Sequence, residues 1–203
     1  MYSTHPKPSL LLFGPQTNLP PPNVLSSLRD ELVKNQSLSS LVTAVKNLPQ
    51  FWIELTEFDA ELDKVPGARY LRELQHWVSH GGDFPLNPPN ILLVPTTVIL
   101  QITQYTRYIT GLGEKNAHLQ FLAGLQKGGI QGFCIGFLSA IIVAIARNEA
   151  EIGVIAAIVL RLSVCIGACV DKDGVLDGSS SRSAGIAVRW KEDNPRGREA
   201  KTV

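Results

Sequence analysis

The sequence lacks a surplus of either charge, since 19 lysines and arginines stand against 18 aspartates and glutamates. It therefore supplies no field that would attract nucleic acid or an anionic lipid surface. Cysteine is scarce as well, and three cysteines in 203 residues make no disulfide framework. No basic segment followed by an apolar one opens the chain in the manner of a secretory signal peptide, so we expect a cytosolic protein.

Charge is nearly absent from one long stretch of the chain. Residues 128–170 contain only four charged side chains, whereas 13 of the 33 residues from 171 to 203 are charged. The contrast predicts that residues 128–170 form part of a buried core and that residues 171–203 contribute little to it. A hydrophobic content of 44% excludes disorder along the whole chain and fits one soluble domain or a large piece of a bigger one.

Apolar spacing and breaker residues predict a series of short elements. A buried strand is expected over Ser9–Phe13, where Gly14-Pro15 stops it. Amphipathic helices are expected over residues 24–33 with Asn23 as N-cap, 38–48 with Pro49 beyond the end, 65–80, and 96–109 with Pro95 in the first turn.

Residues 128–146 contain the motif with the clearest chemistry. Gly132-x-Cys134-x-Gly136 joins a short apolar run to a long one, which indicates a strand, a sharp turn and a helix. This pattern is a nucleophile elbow with cysteine in place of serine. Glycine at both flanking positions keeps a Cβ from colliding with the neighbouring strand or helix. The helix N-terminus would favour a thiolate, and the Ile135 N–H would point at a developing oxyanion.

Plainer explanations compete for each cysteine and histidine. A G-x-C-x-G pattern by itself also fits a small buried cysteine that packs a helix. Cys165 and Cys169 stand four residues apart, and too few ligands accompany them for a metal, so a core role is favoured. His76 and His80 have the spacing of a helical zinc site but no third ligand. His118 lies in a polar segment and is expected to be solvated rather than catalytic.

A helical hairpin in a bilayer is another interpretation, because residues 128–146 carry no charge and are long enough to span one. Ile152–Val170 would be the second span. Arg161 lies at the middle of that span, which is an expensive position in lipid. The glycines at the start of the first segment suit an elbow better than a uniform helix. We therefore expect no membrane partner.

Four segments, taken together, point to a known family. They are Leu10–Gln16, Asn90–Tyr108, Gly132–Ala140 and Leu160–Leu162. In this order they resemble the starter-unit acyl carrier protein transacylase domain of fungal non-reducing polyketide synthases, a relative of the malonyl-CoA:ACP acyltransferases. The resemblance implies an α/β fold in which residues 9–176 form an incomplete large subdomain. Residues 177–203 would be the start of a small ferredoxin-like subdomain and a divergent, poorly ordered tail.

The resemblance also implies roles for residues at the elbow. Cys134 occupies the position of the nucleophile, and Gln16 falls at a glutamine that helps to line the oxyanion site together with the Ile135 N–H. Gly132 and Gly136 would shape the substrate site around the nucleophile. No bound cofactor and no metal are implied.

The acyl group implied by the resemblance is uncharged. Malonyl-specific relatives have an arginine that pairs with the substrate carboxylate, and Ile166 stands at the equivalent position here. Loss of that bidentate contact favours an uncharged starter unit. Arg161, about a turn and a half earlier, is a second candidate for contacting the substrate.

The implied reaction is the transfer of an acyl group between thiols. An acyl-CoA, or an acyl group carried by a fatty-acid or polyketide synthase, would acylate Cys134. The phosphopantetheine thiol of an acyl carrier protein in a polyketide synthase would then take the acyl group. A histidine is expected to be the base that activates each thiol.

No histidine stands where the resemblance requires that base, since none of the 69 residues after Cys134 is histidine. In the family the histidine follows the small subdomain, so we expect a C-terminally truncated chain. Three hypotheses follow. The protein is an acyltransferase fragment that has lost activity, or a short enzyme that uses His118 or a partner chain, or a non-enzymatic remnant such as an acyl-binding protein or a membrane hairpin.

Overall fold

A computed structural model describes residues 10–15, 19–85, 87–125, 129–176, 188–190 and 200–202. This part of the chain is a mostly helical α/β structure. The elements in chain order are β1 (Leu10–Phe13), α1 (Pro22–Lys34), a 3₁₀ turn (Gln36–Leu38), α2 (Ser39–Lys46), α3 (Leu48–Phe58), a second 3₁₀ turn (Ala60–Lys64), α4 (Gly67–His80), α5 (Asn90–Gly111), α6 (Ala117–Gly124), β2 (Gly129–Gly132), α7 (Gly136–Ile145), α8 (Glu149–Leu176), β3 (Val188–Trp190) and β4 (Ala200–Thr202).

The two longest helices, α5 and α8, form the centre of the core. One face of α8 is a row of buried residues at four-residue spacing: Ile152, Ala156, Leu160, Val164 and Ala168. Such a row is the ridge by which one helix packs into the groove of another. The helices approach so closely that a Cβ on Gly167 of α8 would overlap the carbonyl group of Asn90 at the start of α5.

Helix α5 begins at Asn90, so the prediction of a start after Pro95 is wrong. The Asp171 carboxylate on α8 accepts hydrogen bonds from the backbone N–H groups of Asn90 at 3.0 Å and of Ile91 at 2.7 Å. The first N–H groups of a helix have no partner within it, so this carboxylate caps α5 from a distant element. Pro95 consequently lies inside the helix.

Two further helix boundaries differ from the prediction, and both involve proline. Helix α1 begins at Pro22, after Pro21, so Asn23 is not its N-cap. The helix predicted over residues 38–48 ends at Lys46, and Pro49 belongs to the first turn of α3, which was not predicted. Proline is accommodated in a first turn because the N–H that it lacks would be unpaired there. Helix α4 and the end of α5 at Gly111 confirm the prediction.

Strands β1 and β2 pair in parallel, with Leu10 opposite Gly129 and Phe13 opposite Gly132. Phe13 is buried against Tyr105 of α5, with ring centroids 6.2 Å apart. Leu12 is 58% exposed, so the prediction of a buried strand is wrong for one face.

The second sheet is an antiparallel pair, in which Val188 of β3 lies opposite Thr202 of β4. Most of the predicted small subdomain and tail, residues 177–187, 191–199 and 203, lies outside the described residues.

The alternative of a membrane hairpin does not fit the structure, because its first segment is not one helix. Residues 129–146 form β2, a turn and the ten-residue α7. Within the described ranges, Glu149–Lys172 of α8 is the one stretch long and apolar enough to cross a membrane. The buried row of α8 against α5 gives this composition a different explanation, because a core helix passes the same test.

Candidate active site

Cys134 lies at a sharp turn between β2 and α7. Its backbone has a φ of 55°, in the left-handed region that residues other than glycine rarely adopt. The preceding residue, Phe133, donates its N–H to the carbonyl of Phe13 at 2.9 Å, which extends the pairing of β2 with β1 up to the turn. The Cys134 side chain is exposed. The strand, turn and helix predicted from the motif are confirmed.

The two flanking glycines are required by their surroundings. A Cβ on Gly132 would overlap the backbone of Gly136 and Phe137, across the turn. A Cβ on Gly136 would overlap the carbonyl groups of Phe13 and Gly14 at the end of β1. Backbone atoms cannot move aside as a flexible side chain can, so glycine is needed at both positions for the turn to close.

The Ile135 N–H is the backbone donor that directly follows Cys134. The first turn of α7 uses other donors: Gly136 N–H bonds Phe133 at 3.1 Å and Phe137 N–H bonds Cys134 at 3.0 Å. Within the described part of the chain, no carbonyl accepts from the Ile135 N–H. A free backbone N–H of this kind is the donor that an oxyanion site uses, and the oxyanion role of Ile135 stays a prediction.

Gln16, the second residue predicted for the oxyanion site, lies outside the described residues. Its role stays a prediction. The described chain nearest to it is Gly14, whose carbonyl lies against Gly136.

The described residues that lie next to the elbow are uncharged. Phe133 and Phe137, on either side of Cys134, are 66% and 58% exposed. An open cleft of about 410 Å³ runs between β2 and α7, and its lining residues are Ile130, Gln131, Gly132, Phe137, Ala140, Ile141 and Ala144. Such a lining suits an acyl chain rather than a carboxylate.

His118 is not solvated, and this prediction is wrong. It lies in the first turn of α6 and is fully buried. Its Nδ1 is 2.7 Å from the Tyr105 hydroxyl, and its Nε2 is 2.8 Å from the carbonyl oxygen of Ala146. A carbonyl only accepts, so Nε2 donates and Nδ1 accepts from Tyr105. Both ring nitrogens are therefore engaged away from Cys134.

The Tyr105 hydroxyl stays protonated and can donate to His118. Burial raises the pKa of this hydroxyl above its ordinary value, and the nearby Glu149 carboxylate raises it further. The hydroxyl therefore keeps its proton. Glu149 also accepts the backbone N–H of His118 at 3.0 Å, so the start of α8 is tied to the start of α6.

We expect Tyr105→Phe to lower the free energy of unfolding by about 1–3 kcal/mol, because His118 Nδ1 would remain buried without a donor. Urea denaturation measures the change. The control is Tyr108→Phe in the same helix, whose side chain is half exposed, and its effect is expected within about 0.5 kcal/mol. Equal losses in the two variants would contradict the assignment.

Three further residues singled out from the sequence, Arg161, Cys165 and Cys169, lie on α8. The Arg161 guanidinium is 5.6 Å from the centre of the Phe51 ring on α3, and its substrate role stays a prediction. Cys165 is half-buried, and burial raises the pKa of its thiol, whereas Cys169 is exposed and not a core residue. In the described segments no group of three or more metal-ligating side chains occurs.

One residue near the elbow was missed by the sequence reasoning. Gln101 of α5 donates from Nε2 to the carbonyl of Gly14 at 3.0 Å. A glutamine among apolar residues on a helix is an ordinary surface signal, so the pattern gave no reason to select it.

Comparison with known proteins gives a match over nearly the whole chain. The family model described as "Starter unit:ACP transacylase in aflatoxin biosynthesis" matches residues 11–195. Similar proteins include 5-methylorsellinic acid synthase of Aspergillus terreus, at 41% identity over 187 residues, and methylphloroacetophenone synthase of Cladonia uncialis, at 37% over 187 residues. The non-reducing polyketide synthase esdpA of Penicillium shearii is 37% identical over 194 residues.

These alignments cover 90%, 91% and 94% of this chain, respectively. They cover 7%, 7% and 9% of the relatives, so the chain corresponds to a small part of each.

Proposed function

Because the chain belongs to the starter unit:ACP transacylase family, we propose that it moves a starter acyl group through a thioester on Cys134 in fungal polyketide biosynthesis. The acceptor is the phosphopantetheine thiol of an acyl carrier protein domain of a polyketide synthase. The observation that carries this proposal is the exposed Cys134 at a strained turn between a strand and a helix N-terminus. The donor is an acyl-CoA or an acyl group on another synthase.

The chemistry is two successive thiol exchanges. The Cys134 thiolate attacks the carbonyl carbon of the donor thioester, and the Ile135 N–H, with Gln16, stabilises the tetrahedral oxyanion. The intermediate collapses, the donor thiolate leaves and takes a proton, and an acyl-cysteine remains. The carrier-protein thiolate attacks this second thioester and releases Cys134. Both steps exchange one thioester for another, so positioning is the main requirement.

An uncharged acyl group fits this site best. Among the described residues, no charged side chain lines the cleft between β2 and α7. Ile166 stands at the position where malonyl-specific relatives have a carboxylate-binding arginine, and it packs partly buried against the core. A malonyl carboxylate would therefore find no cation at that position.

The second exchange also needs a base that removes the proton from the carrier-protein thiol. His118 has both ring nitrogens bonded to Tyr105 and Ala146, so it does not take this role without loss of a buried network. No described carboxylate or imidazole bonds the Cys134 thiol. We propose that this chain forms the acyl-cysteine, and that rapid turnover needs a base from beyond the described residues or from another chain.

We also propose how the chain divides into two subdomains. Residues 9–176 correspond to the large subdomain of a malonyl-CoA:ACP acyltransferase-like fold, and residues 177–203 correspond to the beginning of its small ferredoxin-like subdomain. The parallel pairing of β1 with β2 and the elbow that follows β2 support the first assignment.

We expect the purified protein to gain one acyl group when it is incubated with hexanoyl-CoA, and to gain less with malonyl-CoA. Intact mass spectrometry measures the adduct. Cys134→Ala should abolish it because the attacking sulfur is absent. Cys169→Ala is the matched control, since Cys169 is also an exposed thiol and its loss should leave the adduct in place.

Absence of an adduct with every thioester tested would refute the proposed function. An adduct that survives Cys134→Ala and disappears in Cys169→Ala would place the reactive thiol on α8 and would also refute it.

A further inference from the structure

We propose that Gln101 is a positioning residue for the acylation of Cys134, an inference that rests on the function proposed above. Its side-chain amide fixes the Gly14 carbonyl, and with it the end of β1, against the elbow. Gln101 does not touch the thiol. It acts through the backbone segment on which the elbow is built.

The Gly14 carbonyl lies between Gln101 and the elbow. Gln101 Nε2 donates to it at 3.0 Å, and the same carbonyl lies so close to Gly136 that a Cβ there would overlap it. One residue earlier, the Phe13 carbonyl accepts the N–H of Phe133, next to Cys134. The amide therefore holds a two-residue segment that contacts both sides of the nucleophile.

A glutamine at position 101 is unfavourable for the stability of the core unless its amide has a specific role. Its Oε1 is buried and has no hydrogen-bond donor within the described residues. A buried acceptor without a partner loses its hydration without a compensating hydrogen bond, which an apolar side chain of similar shape would not. Its neighbours on the inner face of α5, Val98, Ile102 and Tyr105, are buried in the core. The benefit that offsets this cost is the bond to Gly14.

Loss of the bond would displace Gly14 and the end of β1, against which Gly136 packs. A misplacement of about 1 Å at a reacting centre can lower a rate by about 100-fold. The effect should fall on the rate of acylation in the bound complex rather than on binding, because Gln101 is not among the residues that line the cleft beside Phe137.

The test compares Gln101→Leu with Gln104→Leu. Both residues lie on α5 and line the same open cleft beside β1, but Gln104 is exposed and makes no hydrogen bond to Gly14. Acylation by hexanoyl-CoA is followed by intact mass over a range of concentrations, which gives a limiting rate and a half-saturation concentration. Hydrogen exchange at the Phe133 N–H is measured in the absence of thioester.

We expect Gln101→Leu to lower the limiting rate about 10- to 100-fold, with the half-saturation concentration within about threefold of the original. Exchange at Phe133 should rise at least about tenfold, because its acceptor at Phe13 is held less firmly. The amides of α5 and α8 should exchange as before. Gln104→Leu should leave all three quantities unchanged.

Unchanged exchange at Phe133 in Gln101→Leu overturns the proposal, as does a rise that extends through α5 and α8, which would show general destabilisation. Faster exchange at Phe133 with an unaltered limiting rate overturns the link to acylation. If the original protein forms no adduct, the proposed function fails, and the exchange measurement alone decides whether Gln101 positions the elbow.

Discussion

Replacement of Gly136 by alanine is expected to lower the free energy of unfolding by about 3 kcal/mol or more. The added Cβ would overlap two backbone carbonyl groups, that of Phe13, which is paired with β2, and that of Gly14, which is bonded by Gln101. This overlap could be removed only if α7 moved away from the end of β1. Urea denaturation monitored by circular dichroism measures the loss.

The matched control is Gly111→Ala at the last residue of α5, where nothing lies within 4 Å of the added Cβ. Alanine has the higher helix propensity, so this variant should be unchanged or more stable by up to about 1 kcal/mol. If Gly136→Ala were as stable as Gly111→Ala, the close approach of α7 to β1 would be wrong. Loss of the elbow should also reduce acylation of Cys134, because the turn cannot then hold its strained conformation.

The elbow could be predicted from sequence because its requirements are local. Gly132 and Gly136 lie two residues from Cys134, and the contacts that exclude a Cβ at Gly132 come from within the same turn. A pattern of five residues therefore contains most of the information. The contact of Gly136 with β1 is the exception, since its partners are more than a hundred residues away in the chain.

The start of α5 could not be predicted in the same way. Pro95 is an ordinary signal for a first helical turn, and nothing nearby indicates an earlier start. The cap comes from Asp171, which is 81 residues beyond Asn90 and on a different helix. Residues whose partners lie in another element give no periodic signal, and Gln101 was missed for the same reason.

His118 shows how the neighbours of a residue in sequence can mislead. Glu114, Lys115 and Asn116 precede it and indicate a solvated loop. In the folded chain Tyr105 and the Ala146 carbonyl supply both hydrogen bonds that a neutral imidazole needs, so its burial is satisfied. The sequence held the right donor and acceptor but no indication that they would meet.

The second large effect is expected on α8. Leu160→Ala should lower the free energy of unfolding by about 2–5 kcal/mol, because Leu160 is fully buried at the middle of the row that packs in the core. The loss has two parts, the transfer of apolar surface to water and the cavity left between helices. Thermal and urea denaturation both measure it.

Leu162→Ala provides a matched control on the same helix, because Leu162 is 51% exposed. Truncation of an exposed leucine should change stability by no more than about 0.5 kcal/mol. If α8 is a core helix, only its buried face stabilises the fold. The loss of unfolding free energy should therefore be much larger for Leu160→Ala than for Leu162→Ala. Equal and large losses would instead show that the exposed face, with Val154 and Ile158, is covered in solution by another surface or by lipid.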